Sequence, residues 1–287
     1  MYKAWLIYNQ RDAERNREFI RWMVAEAAEL AIDLNVMYKE KFTIGVKNAS
    51  LYATYEQVQI DKPDFAIVRN IDELFSSQLQ YLGINVYNSA FVSEIANNKA
   101  KTHQFLARHG IPMADTVFLN TDDFRKDSFS MAFPCVVKKV RGRGGEQVYK
   151  MECLDDISLF CGKEKNENII VQKMAAPGRD VRVFVVGKQI VAAILRESNT
   201  DFRANYSLGG TSSVYQLSAR EQRIVRKIMG LFDFGMVGID FIFDEAGNFL
   251  LNEIEDVVGS RTLSKNTDIN IVRIYLRHIL DNCLHAN

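Results

Sequence analysis

The sequence predicts an α/β chain, α+β in its second half, built as a small parallel domain followed by two lobes around a cleft. Three observations carry this. Strand and helix alternate over the first ninety or so residues, a Gly-rich loop follows a lysine-bearing strand near residue 140, and a hairpin near residue 245 is loaded with carboxylates. At 287 residues the chain is too long for one ordinary small domain, and the expected segments are 1–92, 93–172 and 173–287.

The elements follow in order. Trp5 to Tyr8 reads as a strand, and Asn16 to Ala31 as an amphipathic helix with Phe19, Ile20, Met23, Ala27 and Leu30 on one side. Asp64 to Val68 is a second strand, and Ile84 to Tyr87 a third after a helix end at Tyr81-Leu-Gly83. Such alternation implies a parallel sheet with helices on its faces. Sheets of that kind bind ligands at the carboxyl ends of their strands, which makes Tyr8, Asn9, Arg69 and Asn70 candidates for substrate contact, or else ordinary loop polar groups. A helix from Ser93 to His109 is closed by Gly110 and Pro112. Residues 113–130 are polar around a short strand, and Ile269 to Leu280 is a helix burying Ile271, Ile274, Tyr275 and Ile279.

Composition excludes several function classes. Lys+Arg and Asp+Glu both number 36, so no global basic field attracts nucleic acid or an anionic membrane, and anionic ligands must be held by local charges. The apolar start is too short for a signal peptide, and no later stretch is long enough to span a bilayer. Cys135, Cys153, Cys161 and Cys283 lack metal-ligand spacing and are too sparse for a disulfide framework, which suits reduced thiols in a cytoplasm. His103, His109, His278 and His285 accompany no hydrolase or zinc motif and read as surface residues.

The chemistry concentrates in the second half. Asp240 lies inside the apolar run Val237-Gly-Ile-Asp240-Phe-Ile-Phe243, where an isolated charge costs several kcal/mol to desolvate and demands a cationic partner. Asp244-Glu-Ala-Gly-Asn248 makes the run a hairpin with Leu250-Leu-Asn-Glu253-Ile-Glu255. With Asp244 opposite Phe249, Asp240 lies opposite Glu253, and Glu255 shares the face of Glu253. Three convergent carboxylates suit Mg²⁺ with phosphate completing its shell, the alternative being an acidic edge strand facing water. Upstream, Lys138 and Lys139 stand in a β-branched strand before Arg141-Gly-Arg-Gly-Gly145, a loop whose N–H groups can approach phosphate, although it lacks the Walker ending. Asp180 and Arg182 share a strand face, and Arg196 and Arg203 follow, the latter in a Gly-ended loop with Asn205. Arginines beside a carboxylate-bound metal would neutralise a transferring phosphoryl group.

Taken in order, these motifs resemble the ATP-grasp family over about Asn98 to Gly259, and within it the ribosomal-protein glutamate ligase group of carboxylate–amine ligases. The resemblance implies an ATP-grasp fold, two lobes gripping ATP, preceded by a small parallel α/β domain. It implies that Lys99 and Lys138 contact ATP phosphate, that Gly142, Gly144 and Gly145 belong to a loop covering it, and that Gln172, Lys173 and Met174 form the hinge against adenine. Asp180 and Asn205 belong to the group's two basic motifs as nucleotide-side residues, with Arg182, Arg203 and Lys138 as catalytic groups. Asp240, Glu253 and Glu255 match the ligands for Mg²⁺, or alternatively Mn²⁺. The implied reaction is ATP-dependent amide formation through an acyl phosphate, on an amino acid or short peptide, by an enzyme that is a possible homo-oligomer. A non-catalytic nucleotide sensor and a peptide-modifying macrocyclase are the competing readings. The pattern departs from the family's at Glu255, where asparagine is usual, at Lys173, where an acidic residue is usual, and at Asp256-Val-Val-Gly-Ser-Arg261, which replaces a Pro-Gly-containing loop.

Overall fold

A computed structural model describes residues 1–142, 147–198 and 210–285. The first unit runs β1 (Tyr2–Tyr8), α1 (Gln10–Arg15), α2 (Arg17–Glu29), β2 (Ile32–Tyr38), β3 (Phe42–Lys47), β4 (Ser50–Tyr55), β5 (Val58–Gln59), β6 (Phe65–Val68), α3 (Glu73–Tyr81) and β7 (Asn85–Tyr87). Strands β2-β1-β6-β7 form a wholly parallel sheet, as the alternation predicts. The stretch 32–59 carries no sequence-predicted element, yet it folds as β2 and an antiparallel meander of β3, β4 and β5. The signal was available, since Ile32, Leu34 and Val36, then Phe42, Ile44 and Val46, alternate at the period of a strand.

The helix predicted over Ser93 to His109 is two helices, α4 (Ala90–Ala96) and α5 (Lys99–Ala107). Asn97 caps the end of the first and Asn98 the start of the second, its side chain accepting from the N–H of Lys101. The Asn97 side chain donates to Ser93 O at 2.7 Å in its own helix and to Asp256 Oδ2 at 3.0 Å. The break has a functional consequence, because it puts Lys99 at the first turn of a helix whose start is pinned by Lys99 N–H to Val140 O, 2.9 Å.

The next lobe comprises β8 (Thr116–Asn120), β9 (Cys135–Lys139), β10 (Val148–Met151), α6 (Leu154–Lys163) and β11 (Asn168–Lys173), with strand order β10-β9-β11-β8. The last comprises β12 (Ala176–Val186), β13 (Gln189–Glu197), β14 (Thr211–Val214), α7 (Ala219–Met229), β15 (Met236–Phe243), β16 (Phe249–Glu255), α8 (Arg261–Asn266) and α9 (Ile271–His285). Its five strands order β14-β13-β12-β15-β16. Helices α6 and α7 have no sequence prediction, although Ser218 and Glu221 form a capping box before the buried Val225, Ile228 and Met229.

Two large apolar cores hold these layers together. One joins β1, β2, β6 and α2 to β12 and α9, with Leu6, Phe65, Phe184, Tyr275 and Ile279 all buried. The other lies between β12, β15 and β16 and α7, with α4 and α5 also contributing. The C-terminal helix therefore clasps the first unit to the last, helped by Arg273 and Asn270, both donating to Glu26.

Candidate active site

The carboxylate hairpin forms as predicted, by a slightly different register. Phe243, not Asp244, pairs with Phe249, and an irregularity at Asn252 takes up the extra residue, so Asp240 still faces Glu253. Asp244 closes the turn by accepting from the N–H groups of Ala246 and Asn248. Glu255 falls opposite Gly238, and one ligand oxygen each from Asp240, Glu253 and Glu255 lies within 4.8 Å of the others. These are hard oxygen donors on adjacent strands, a set that fits a small divalent cation.

Four cations surround them. The Arg182 guanidinium donates through Nε to Asp240 Oδ1 at 2.8 Å and through Nη2 to Asp240 Oδ2 at 2.6 Å and Glu255 Oε1 at 2.7 Å. Arg196 Nη2 reaches Asp240 Oδ2 at 2.7 Å, and both oxygens of Asp180 accept from Arg196. The pairing is dictated by register, since Arg182 lies opposite Asp240 and Asp180 opposite Arg196. Arg182, expected as a catalytic group, and Asp180, expected on the nucleotide side, both lie in this buried network, where their bonds orient Asp240, Glu255 and Arg196.

From the other lobe, Lys138 Nζ donates to Asn252 Oδ1 at 2.7 Å. Lys99 Nζ lies 3.0 Å from Glu253 Oε2 and donates to the carbonyl of Gly142. A Cβ at Gly142 would sit 2.9 Å from Gln147 Oε1 and 3.2 Å from the Lys139 carbonyl, so a side chain there requires Gln147 to shift. Gly144, Gly145, Arg203 and Asn205 lie outside the described residues.

Burial and charge set the protonation of the cluster. Burial is the largest influence on Asp240 and pushes its pKa up, but Arg182 and Arg196 together outweigh it and hold the carboxyl at about 2. Glu253 behaves similarly, burial opposing Lys99 and Lys138, with a net lowering. Glu255 and Asp180 go the other way, because burial outweighs their arginines; Asp180 rises to about 6. Lys138 is pushed down to about 8 by burial, with Lys99 adding repulsion.

His103 is the residue that sequence reasoning missed. Predicted at the surface, it is fully buried, with Nε2 3.0 Å from the carbonyl of Asn252. Burial lowers its pKa to about 4, so the neutral ring donates from Nε2 and fixes the backbone of the residue that Lys138 grips. His278 is also half-buried, within reach of Phe234 O, while the side chain of His285 lies outside the described residues. The only available signal for His103 was its place two turns after Ile95 on the face that buries Thr102 and Leu106.

At the hinge, Gln172 is buried, Lys173 exposed and Met174 half-buried. Gln172 Nε2 donates to Thr116 Oγ1, and among the described residues no donor reaches its buried Oε1. Lys173 and Met174 line a cavity of about 330 Å³ with Asp115 and Glu245. At the sheet ends of the first unit, Arg69 donates to Val258 O at 2.8 Å and to the Tyr8 hydroxyl at 3.3 Å, tying that sheet to the segment just past Glu255. Arg261 is exposed at the start of α8. None of the four cysteines is in a disulfide, three of them are buried, and no helix among the described residues is long and apolar enough to cross a membrane.

Comparison with known proteins bears on this geometry. A family model described as a RimK-like ATP-grasp domain matches residues 96–279. A probable alpha-L-glutamate ligase of Legionella pneumophila is 30% identical over 210 residues, 70% of this chain and 68% of that protein. The human beta-citrylglutamate synthase B is 27% identical over 292 residues, 95% of this chain and 75% of that protein. The ATP-grasp ligase PsnB, solved with a minimal precursor, superposes with a TM-score of 0.69 at 16% identity, covering 98% of each chain.

Proposed function

Since the chain belongs to the RimK-like ATP-grasp family and is an ATP-dependent carboxylate–amine ligase, we propose that Asp240, Glu253 and Glu255 hold Mg²⁺ or Mn²⁺ against the ATP phosphates, which Lys99 and Lys138 grip. The observation that carries this is the meeting of the lobes: lysines of α5 and β9 reach Glu253 and Asn252 of the carboxylate strand. Bound there, a divalent ion supplies charge neutralisation and Lewis acidity at the phosphates.

The chain's own residues then carry positioning and electrostatics. Arg182 and Arg196 keep Asp240 ionised and aimed, and His103 fixes the Asn252 backbone beneath Lys138. Gln172 Oε1, buried and reached by no donor among the described residues, suits an adenine amino group. The substrate carboxylate oxygen attacks the γ-phosphorus as the bond to ADP breaks, and Arg203 stabilises the developing charge. An amine then forms the C–N bond, the acyl C–O bond to phosphate breaks, and the nitrogen loses its proton. No protein nucleophile is required.

The substrates we propose are an amino acid and an amino acid or short peptide, with L-glutamate the first to test because relatives are named for it. Cysteines outside any disulfide suit a reducing cytoplasm, where we place the enzyme. The test is mass spectrometry of products after incubation with ATP, Mg²⁺ and pooled amino acids and peptides. Pool-dependent ADP release with a new amide is expected; nucleotide binding with neither would make the protein a sensor.

Two further outcomes follow from the cluster. Glu255→Asn is expected to keep turnover within about tenfold, because an amide oxygen still offers a hard ligand; complete loss would give Glu255 another role. Lys138 must be charged to hold phosphate, so kcat/KM for ATP is expected to fall as pH rises through about 8. Lys138→Arg, charged throughout this range, should flatten that limb.

A further inference from the structure

We propose that the carboxyl ends of β1 and β6 form the subsite for the ammonium group of an amino-acid substrate, held by the side-chain oxygens of Asn9 and Asn70. This rests on the ligase reading above and names what one of its substrates carries.

The two strands are parallel neighbours, with Ile7 beside Val68 in register, so Asn9 and Asn70 each stand two residues beyond the last pair. Neighbouring strands run about 4.8 Å apart, so the two asparagines leave the sheet from adjoining strand ends. Asn70 is 5% exposed, and Asn9 is half-buried. The Oδ1 atoms of both are shielded from solvent, and among the described residues no donor reaches either. The Asn9 amide is oriented from behind, its Nδ2 donating to Asp12 Oδ2 at 3.0 Å, so its oxygen is left as an acceptor and is polarised by that carboxylate. Two desolvated acceptors at adjoining strand ends call for a ligand rich in N–H donors.

The site also lies where such a ligand is useful. Arg69, between these strands and the second half, donates to the carbonyl of Val258, three residues past the proposed metal ligand Glu255. The strand ends are thereby bound to the segment leaving the carboxylate strand. Arg69 itself is directed to Val258 and Tyr8 and stacks 5.1 Å over Phe19, so its observed bonds are structural and the asparagine oxygens are the groups left for a ligand.

The test is equilibrium binding to the full chain preloaded with Mg²⁺ and a non-hydrolysable ATP analogue. The probes are the twenty L-amino acids, each compared with its des-amino carboxylic acid. The wild type is expected to bind at least one amino acid at least tenfold more tightly than its des-amino counterpart. Asn70→Leu should erase that preference and Asn70→Asp, the same size but anionic, should keep or strengthen it, with analogue affinity changed less than twofold in both. Equal binding of the des-amino acids, an unchanged preference in Asn70→Leu, or no amino-acid binding by protein that does take up the analogue would each overturn the subsite. Failure to take up the analogue at all would instead overturn the ligase reading beneath it.

Discussion

Lys138→Met is expected to lower kcat/KM for ATP by about 10²–10³-fold, roughly 2.7–4 kcal/mol of barrier, while the melting temperature stays the same or rises. The two effects have opposite signs because the charge that serves chemistry is a burden on folding. Lys138 is 8% exposed, and burial drags its pKa down to about 8, which means the folded state resists its charged form. Methionine keeps the length of the stem and removes that desolvation cost. What is lost in stability is one hydrogen bond, to Asn252 Oδ1, worth about 1 kcal/mol, and the attraction of Glu253, which burial of the lysine already outweighs. Such an exchange of stability for activity is expected of a residue kept for its function. Steady-state kinetics beside a thermal melt decide the matter. Unaltered kinetics would remove Lys138 from phosphate binding, and a collapsed fold would make it a structural residue.

Much of this site was legible in the sequence because its parts violate local expectation. A carboxylate inside Val237-Gly-Ile-Asp240-Phe-Ile-Phe243 has no reason to exist without a partner, and strand periodicity then places Glu253 and Glu255 on its face. The predicted pairing of Asp240 with Glu253 holds, although the starting register was one residue off, because the irregularity at Asn252 offsets the error. A strand bulge leaves no residue signature of its own there, so pattern alone could not supply it. The arginine network was hidden for a related reason: that Arg182 faces Asp240 depends on which strands are neighbours in the sheet, which is a property of topology. His103 was hidden because polarity argues for the surface unless the acceptor is known, and its acceptor is a backbone carbonyl 149 residues away. The break between α4 and α5 was within reach, since Asn97-Asn98 offers a cap before Lys99. Helical periodicity across both pieces concealed it.

Asp240→Asn is expected to fail on both counts, and the comparison with Lys138→Met separates the two roles. The side chains are nearly isosteric, so shape alone would leave the fold intact. The structure argues otherwise. Asp240 is 1% exposed and shared by two buried guanidinium groups, so a neutral amide leaves Arg182 and Arg196 short of a counter-charge. Breaking a buried pair from one side costs about 3–5 kcal/mol. Denaturant unfolding should show a loss of that order, and turnover should fall by about 10²–10³-fold as well. The sign with pH is fixed by the direction of the shift. A carboxyl held at about 2, below its unfolded value near 3.9, contributes its stability above pH 4 and surrenders it as pH falls toward 2. The stability gap between wild type and Asp240→Asn is therefore expected to be flat near neutrality and to narrow below about pH 4. Adding Arg182→Met removes one stranded cation, whose other carboxylate partner among the described residues is Glu255, half-buried and with its pKa already raised. The double variant should regain part of the lost stability and none of the activity. Stability that does not recover would mean that Arg182 is held by something other than its carboxylates, and activity that does recover would mean that Asp240 holds no metal.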